Sequence, residues 1–177
     1  MARWVIPEYE NRLAAVFVVV SLLTPWSVSR LVVQGGSMVL TYVRWPFVQW
    51  RRAAVQGGAG SRWMTPLGAY EFQTTSAGPT PLADAYAVWG VAALCFALTL
   101  CLAVALLVDE EWVAERTARF FERRPGPVVG ALLLLDGVVF LVATVGIYLR
   151  GADGITLPLG ALFMLLFGAV LLTNGEN

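Results

Sequence analysis

Four long runs almost free of charge constrain this chain more than any motif does. They cover roughly residues 12–32, 82–108, 128–149 and 155–173. Each is at least ~18 residues long, the length an α-helix needs to cross a hydrocarbon core of ~30 Å. The runs predict an all-α transmembrane fold, a four-helix membrane bundle that makes one domain of residues 1–177. Hydrophobic residues make up 58% of the chain and charged residues 14%. A soluble domain carries about 25% charged residues, so most of this surface must meet lipid or other helices. The formal net charge is zero, which leaves no broad attraction to nucleic acid.

The same residues argue against an enzyme. Histidine is absent, so no Ser–His or Cys–His pair and no HExxH site can form. Cys95 and Cys101 both fall in the second run, six positions apart on different helix faces, too far along the axis to bridge within one helix. No cation lies nearby to activate either thiol. No cofactor and no metal site are expected. Asp109-Glu110-Glu111 is a solvated helix end before it is a divalent-cation site. The first run lacks an evident small-residue cleavage site and is expected to be a retained anchor.

Residues 33–80 form the one long connection. Segment 37–45 is rich in β-branched and aromatic residues, and Tyr70-Glu71-Phe72-Gln73-Thr74 alternates apolar and polar. Two short antiparallel strands with a mobile tip at Gly57–Gly60 are expected. Trp45, Phe47, Trp50 and Trp63 are placed at the bilayer surface, with Arg51 and Arg52 reaching headgroups, as the candidate contact surface. Trp26 is expected at the interface, after a kink at Pro25. Residues 109–124 read as an aqueous extension of the second helix, making one rod over 82–124 that ends at Pro125-Gly126-Pro127. Pro158 is read in the first turn of the fourth span.

Orientation rests on arginine. Arg3, Arg12, Arg116, Arg119, Arg123 and Arg124 share one side and Arg30, Arg44, Arg51, Arg52, Arg62 and Arg150 the other. The denser cluster in the short 109–127 connection places both termini in the cytoplasm and residues 33–80 outside, in a multi-pass protein of the cell membrane.

Asp136 is the sharpest residue. It interrupts a leucine run near the middle of the third span, where a carboxylate costs ~2.5–3.5 kcal/mol on insertion scales. Ser21 and Thr99 lie at comparable depth and are its candidate partners. Three readings stay open: a carboxyl that glues helices together, an ion or proton site, and a ligand contact. On the second span Ala93, Ala97, Cys101 and Ala105 form a small-residue row that lets a helix approach closely, within the bundle or in an oligomer.

Several short elements carry a resemblance. They are Trp4, Glu8 and Tyr9, then Leu23-Thr24-Pro25-Trp26-Ser27-Val28, Gly35-Gly36-Ser37, Val43-Arg44-Trp45-Pro46-Phe47 and Ile155-Thr156-Leu157-Pro158-Leu159-Gly160. In this order they resemble small four-span membrane proteins of haloarchaea without assigned function. A Leu-Pro-Trp-Ser-Val-like element is shared, less closely, with a haloarchaeal membrane group encoded beside archaeosortase. The layout is also similar to claudin-like tetraspans, though the first connection has no cysteine. The resemblance implies no catalytic residue. The functional expectation is a non-enzymatic interaction or accessory subunit, in contact with lipid and with another membrane protein or a second copy. A small oligomeric transporter or ion-conducting protein built on Asp136 is the alternative, and an intramembrane enzyme comes third.

Overall fold

The computed structural model describes residues 9–55, 57–121, 124–151 and 154–175. Expectations resting on Arg3, Trp4, Glu8 and Arg123 fall outside these. The architecture is α+β, not an all-α four-helix membrane bundle. A five-stranded antiparallel sheet accompanies the helices, and among the described residues only two helices are long and apolar enough to cross a membrane.

The first run divides at Pro25. Helix α1 (Glu10–Leu23) stops there, and strand β1 (Ser27–Val33) follows. Proline has no N–H to continue the helix and forces its predecessor out of the helical region; Thr24 accordingly has ψ 127°. Beyond it Val28, Val32 and Val33 favour an extended chain. Pro25 therefore ends the helix where a kink was expected. The fourth run divides in the same way. Ile155-Thr156-Leu157 belong to strand β7 (Gly154–Leu157), and helix α6 (Leu159–Gly175) begins only after Pro158.

The sheet is larger than the expected pair of strands. Strands β2 (Met38–Arg44), β3 (Gln49–Val55) and β4 (Gly58–Met64) join β1 and β7 in the order β4-β3-β2-β1-β7. β2 lies within the 37–45 segment read as a strand. Gly58 and Gly60, expected in a mobile tip, are paired with Val55 and Ala53 of β3. Tyr70, Glu71 and Phe72 are helical instead of extended, in α2 (Pro66–Phe72). Thr65 caps that helix by accepting the Gly68 amide at 3.2 Å, and Pro66 supplies a preset first residue, so local start signals override the alternation. Only Thr74–Thr75 is extended there (β5), paired with Gly78–Pro79 (β6).

Helix α3 (Pro81–Val108) and helix α5 (Pro125–Arg150) carry the central packing. Ala85, Trp89, Ala92, Phe96, Thr99, Ala103 and Leu106 are buried along α3, a seam of alternating three- and four-residue steps. The expected continuous rod breaks at Asp109 (φ −148°, ψ 86°), and a separate helix α4 (Glu110–Phe121) starts there. Asp109 accepts the Trp112 amide at 2.9 Å, the bond of a helix cap, so the acidic start opens a new helix.

Two junctions position the sheet. The Gly160 amide at the start of α6 donates to the Pro25 carbonyl at 2.9 Å, tying the end of α1 to the start of α6. A Cβ at Gly160 would meet that carbonyl oxygen and the Trp26 Cα, each at 2.8 Å. Trp26 itself is fully buried, not interfacial. Its indole N–H donates to the Trp45 carbonyl at 3.0 Å, and its ring lies 5.2 Å from Phe140 and 5.8 Å from Trp89.

Candidate functional site

Strand registry sorts the sheet into two chemically different faces. On the outer face, the row next to the helices reads Leu157, Val28, Val43, Trp50 and Trp63 across five strands. The next row out reads Ile155, Arg30, Thr41, Arg52 and Ser61. An apolar, aromatic row is thus followed, two residues or ~6.8 Å farther along each strand, by a row carrying two exposed arginines. Residues 27–64 hold Arg30, Arg44, Arg51, Arg52 and Arg62 and no acidic residue.

The inner face buries a polar cluster. Ser27, Arg44 and Gln49 lie side by side, and Thr156, Ser29, Tyr42 and Arg51 form the next row. Arg44 is fully buried. Its guanidinium donates to Gln49 Oε1 at 2.8 Å, Ser29 Oγ at 2.7 Å, Ser27 Oγ at 3.3 Å and the Tyr86 hydroxyl of α3 at 3.4 Å. It also lies 4.7 Å from the centre of the Tyr42 ring. Tyr86 in turn donates to Gln49 Oε1 at 3.3 Å, and Thr156 donates to Ser29 at 2.9 Å. One arginine therefore holds β1, β2, β3 and α3 together. Arg51 contributes a second guanidinium, 4.7 Å from the Phe72 ring and 5.9 Å from that of Tyr42. Burial raises the Tyr42 hydroxyl above its ordinary range, with the neighbouring Tyr86 acting in the same direction and Arg51 and Arg44 opposing.

The residues singled out from the sequence are distributed as follows. Thr99 donates to Asp136 Oδ2 at 2.6 Å, and both are buried. Ser21 is buried too, but its hydroxyl has no hydrogen-bond partner among the described residues. Asp136 lines neither the ~540 Å³ groove between α2 and α3 nor the ~510 Å³ groove beside α4 and α5. The Thr99–Asp136 hydrogen bond links α3 to α5.

The row of small residues on α3 does not form a seam. Ala93 is buried, Ala97 and Ala105 are half-buried and Cys101 is exposed, because a strict four-residue step winds away from one face. α5 and α6 approach each other closely at two glycines: a Cβ on Gly130 would meet Leu171 Cβ at 2.8 Å and one on Gly168 would meet the Gly130 carbonyl oxygen at 2.7 Å.

The expected aromatic and basic surface is split. Trp50, Trp63 and Arg52 lie on the outer face, and Arg51 faces inward. Trp45 donates its indole N–H to the Leu23 carbonyl at 3.1 Å, satisfying the end of α1, and its ring lies 5.9 Å from Trp63. Phe47 lies 6.0 Å from Phe96 and lines the α2–α3 groove. Among the described residues no cluster of His, Cys, Asp or Glu can hold a metal.

Arg44, Gln49, Tyr42 and Tyr86 are the members that sequence reasoning missed. The signal is the alternation Leu40, Tyr42, Arg44 in a strand already recognised, which sends all three to one face.

The profile of a family of unknown function (DUF7549) matches residues 3–176, and the chain belongs to that family. No curated protein matches it.

Proposed function

We propose that this DUF7549 member is a multi-pass protein of the cell membrane, non-enzymatic, that serves as an interaction or accessory subunit through the outer face of its sheet. The observation that carries the reading is the aromatic row beneath an arginine row, in a stretch of chain with no acidic residue. Aromatic side chains favour the level of the headgroups, and arginines just above them suit an acidic partner surface.

The helices support the lipid setting. α3 and α5 exceed the spanning length, and large apolar side chains stay exposed along them and along α6, including Leu94, Leu98, Leu107, Leu135, Val142 and Leu162. A girdle of this kind is a liability in water and matches hydrocarbon. With α3 and α5 as the spans, the 109–124 connection is assigned to the cytoplasm and the sheet to the outside, on the arginine density of residues 116–124. Asp136 lines neither the α2–α3 groove nor the groove beside α4 and α5, so neither groove supports the alternative of conduction through it.

The test is a photo-crosslinker at position 63 or 41 in native membranes. A discrete protein adduct, reduced when Arg30 and Arg52 are both glutamine, is expected. Lipid adducts alone would overturn the partner reading. Extraction by alkaline carbonate would overturn the membrane reading.

A further inference from the structure

We propose that the inner face of the sheet binds a small inorganic anion, chloride in size, between Arg44, Gln49 and Arg51. The inference is independent of the partner reading above.

Charge is the first argument. Arg44 is fully buried, and the atoms that accept its hydrogen bonds are all neutral: a glutamine oxygen, two serine hydroxyls and a tyrosine hydroxyl. No carboxylate of the described residues pairs with it, and residues 27–64 contain none. A buried cation without a counter-charge is strongly unfavourable. Tyr42 cannot supply that charge as a phenolate, because burial raises its hydroxyl and keeps it neutral.

Donor polarity is the second argument. Gln49 Nε2 and Arg51 Nε are both buried and have no partner among the described residues. The amide of Gln49 is oriented by two donors on its oxygen, Arg44 Nε and the Tyr86 hydroxyl, so its NH2 group points away from them. Both orphaned atoms are donors. They belong to residues two apart on β3, on the same face, directly beside Arg44 and Tyr42. Buried groups left in this condition call for a bound water or ion. A water would accept two of these bonds and leave the charge. A monovalent anion accepts them and neutralises one guanidinium.

Size is the third. The grooves of roughly 250, 320, 510 and 540 Å³ are lined by other residues, and none opens on Arg44, Gln49 or Arg51. Donors set two residues apart on one strand suit a single-atom anion better than a phosphate. Arg51, half-buried under Phe72, is the side from which it would enter.

The experiment uses the purified full chain in detergent. Thermal stability is measured while sodium chloride is exchanged for sodium gluconate at constant ionic strength. The midpoint is expected to rise with chloride and with bromide, to saturate, and not to respond to gluconate. Arg51→Gln is expected to raise the half-saturating chloride concentration at least tenfold. Chlorine-35 line broadening by the wild-type protein, reversed by bromide, reads binding without any variant. Equal midpoints in chloride and gluconate with no excess broadening would mean that the donors hold water only, and would overturn the proposal. Saturable broadening that Arg51→Gln leaves unchanged in a folded protein would place the anion elsewhere and would overturn it too.

Discussion

Thr99 Oγ1 donates to Asp136 Oδ2 at 2.6 Å, joining the middle of α3 to the middle of α5 with both side chains buried. Asp136→Asn keeps an acceptor in place and is expected to be nearly silent. Asp136→Leu and Thr99→Val each remove the bond and are expected to cost at most ~1–2 kcal/mol, the usual size of such a bond between helices in lipid. Unfolding of the three variants in mixed micelles checks this. A double variant no worse than the worse single one would confirm that the residues act on each other.

Gly160→Ala is expected to be costly. Its Cβ would lie 2.8 Å from both the Pro25 carbonyl oxygen and the Trp26 Cα, and backbone cannot swing aside as a side-chain tip can. Overpacking of this kind costs about 1–3 kcal/mol. Gly60→Ala is the control, since nothing lies within 4 Å of a Cβ there. It is expected to be neutral in the same unfolding assay.

Arg44→Lys is expected to destabilise the sheet in spite of the conserved charge. A guanidinium reaches Gln49, Ser29 and Tyr86 in three directions, and an ammonium on a flexible stem cannot hold all three. Each hydrogen bond to a charged group contributes about 1.5–3 kcal/mol, so loss of one sets the scale. Hydrogen exchange of the β2 and β3 amides reads the effect locally, and unchanged protection there would contradict it.

Asp109→Ala removes the side chain that accepts the Trp112 amide at 2.9 Å. Loss of a helix cap costs about 0.5–2 kcal/mol, so α4 is expected to fray while α3 remains intact. Faster amide exchange confined to residues 110–121 is the expected result.

These elements show what the sequence makes legible. β2 is readable because Leu40, Tyr42 and Arg44 alternate with Val39, Thr41 and Val43 in an otherwise β-branched stretch. β1 and β7 are hidden because their valines, leucine and isoleucine are as apolar as the helices they adjoin, so hydropathy runs straight through both boundaries. The prolines at 25 and 158 are the only marks between helix and strand, and in an apolar window each also reads as a kink or a first turn. Asp136 stands out as a single charge among leucines. Arg44 does not, because arginine in a connecting segment reads as solvated, and only registry with Ser27 and Gln49 reveals that it faces inward.

The pairing of β1 with β7 dictates an order of assembly. Ser29 and Thr156 are bonded across 127 residues of chain. As synthesis proceeds from the N-terminus, β1 to β4 are complete long before Gly154 emerges, and β1 then presents a row of unmatched amides and carbonyls at one edge of the sheet. Contacts this distant close slowly. A polypeptide that stalls or is cut between Arg150 and Gly154 keeps that edge open, alongside the glycine-bearing edge of β4, and becomes the species most prone to misassociate.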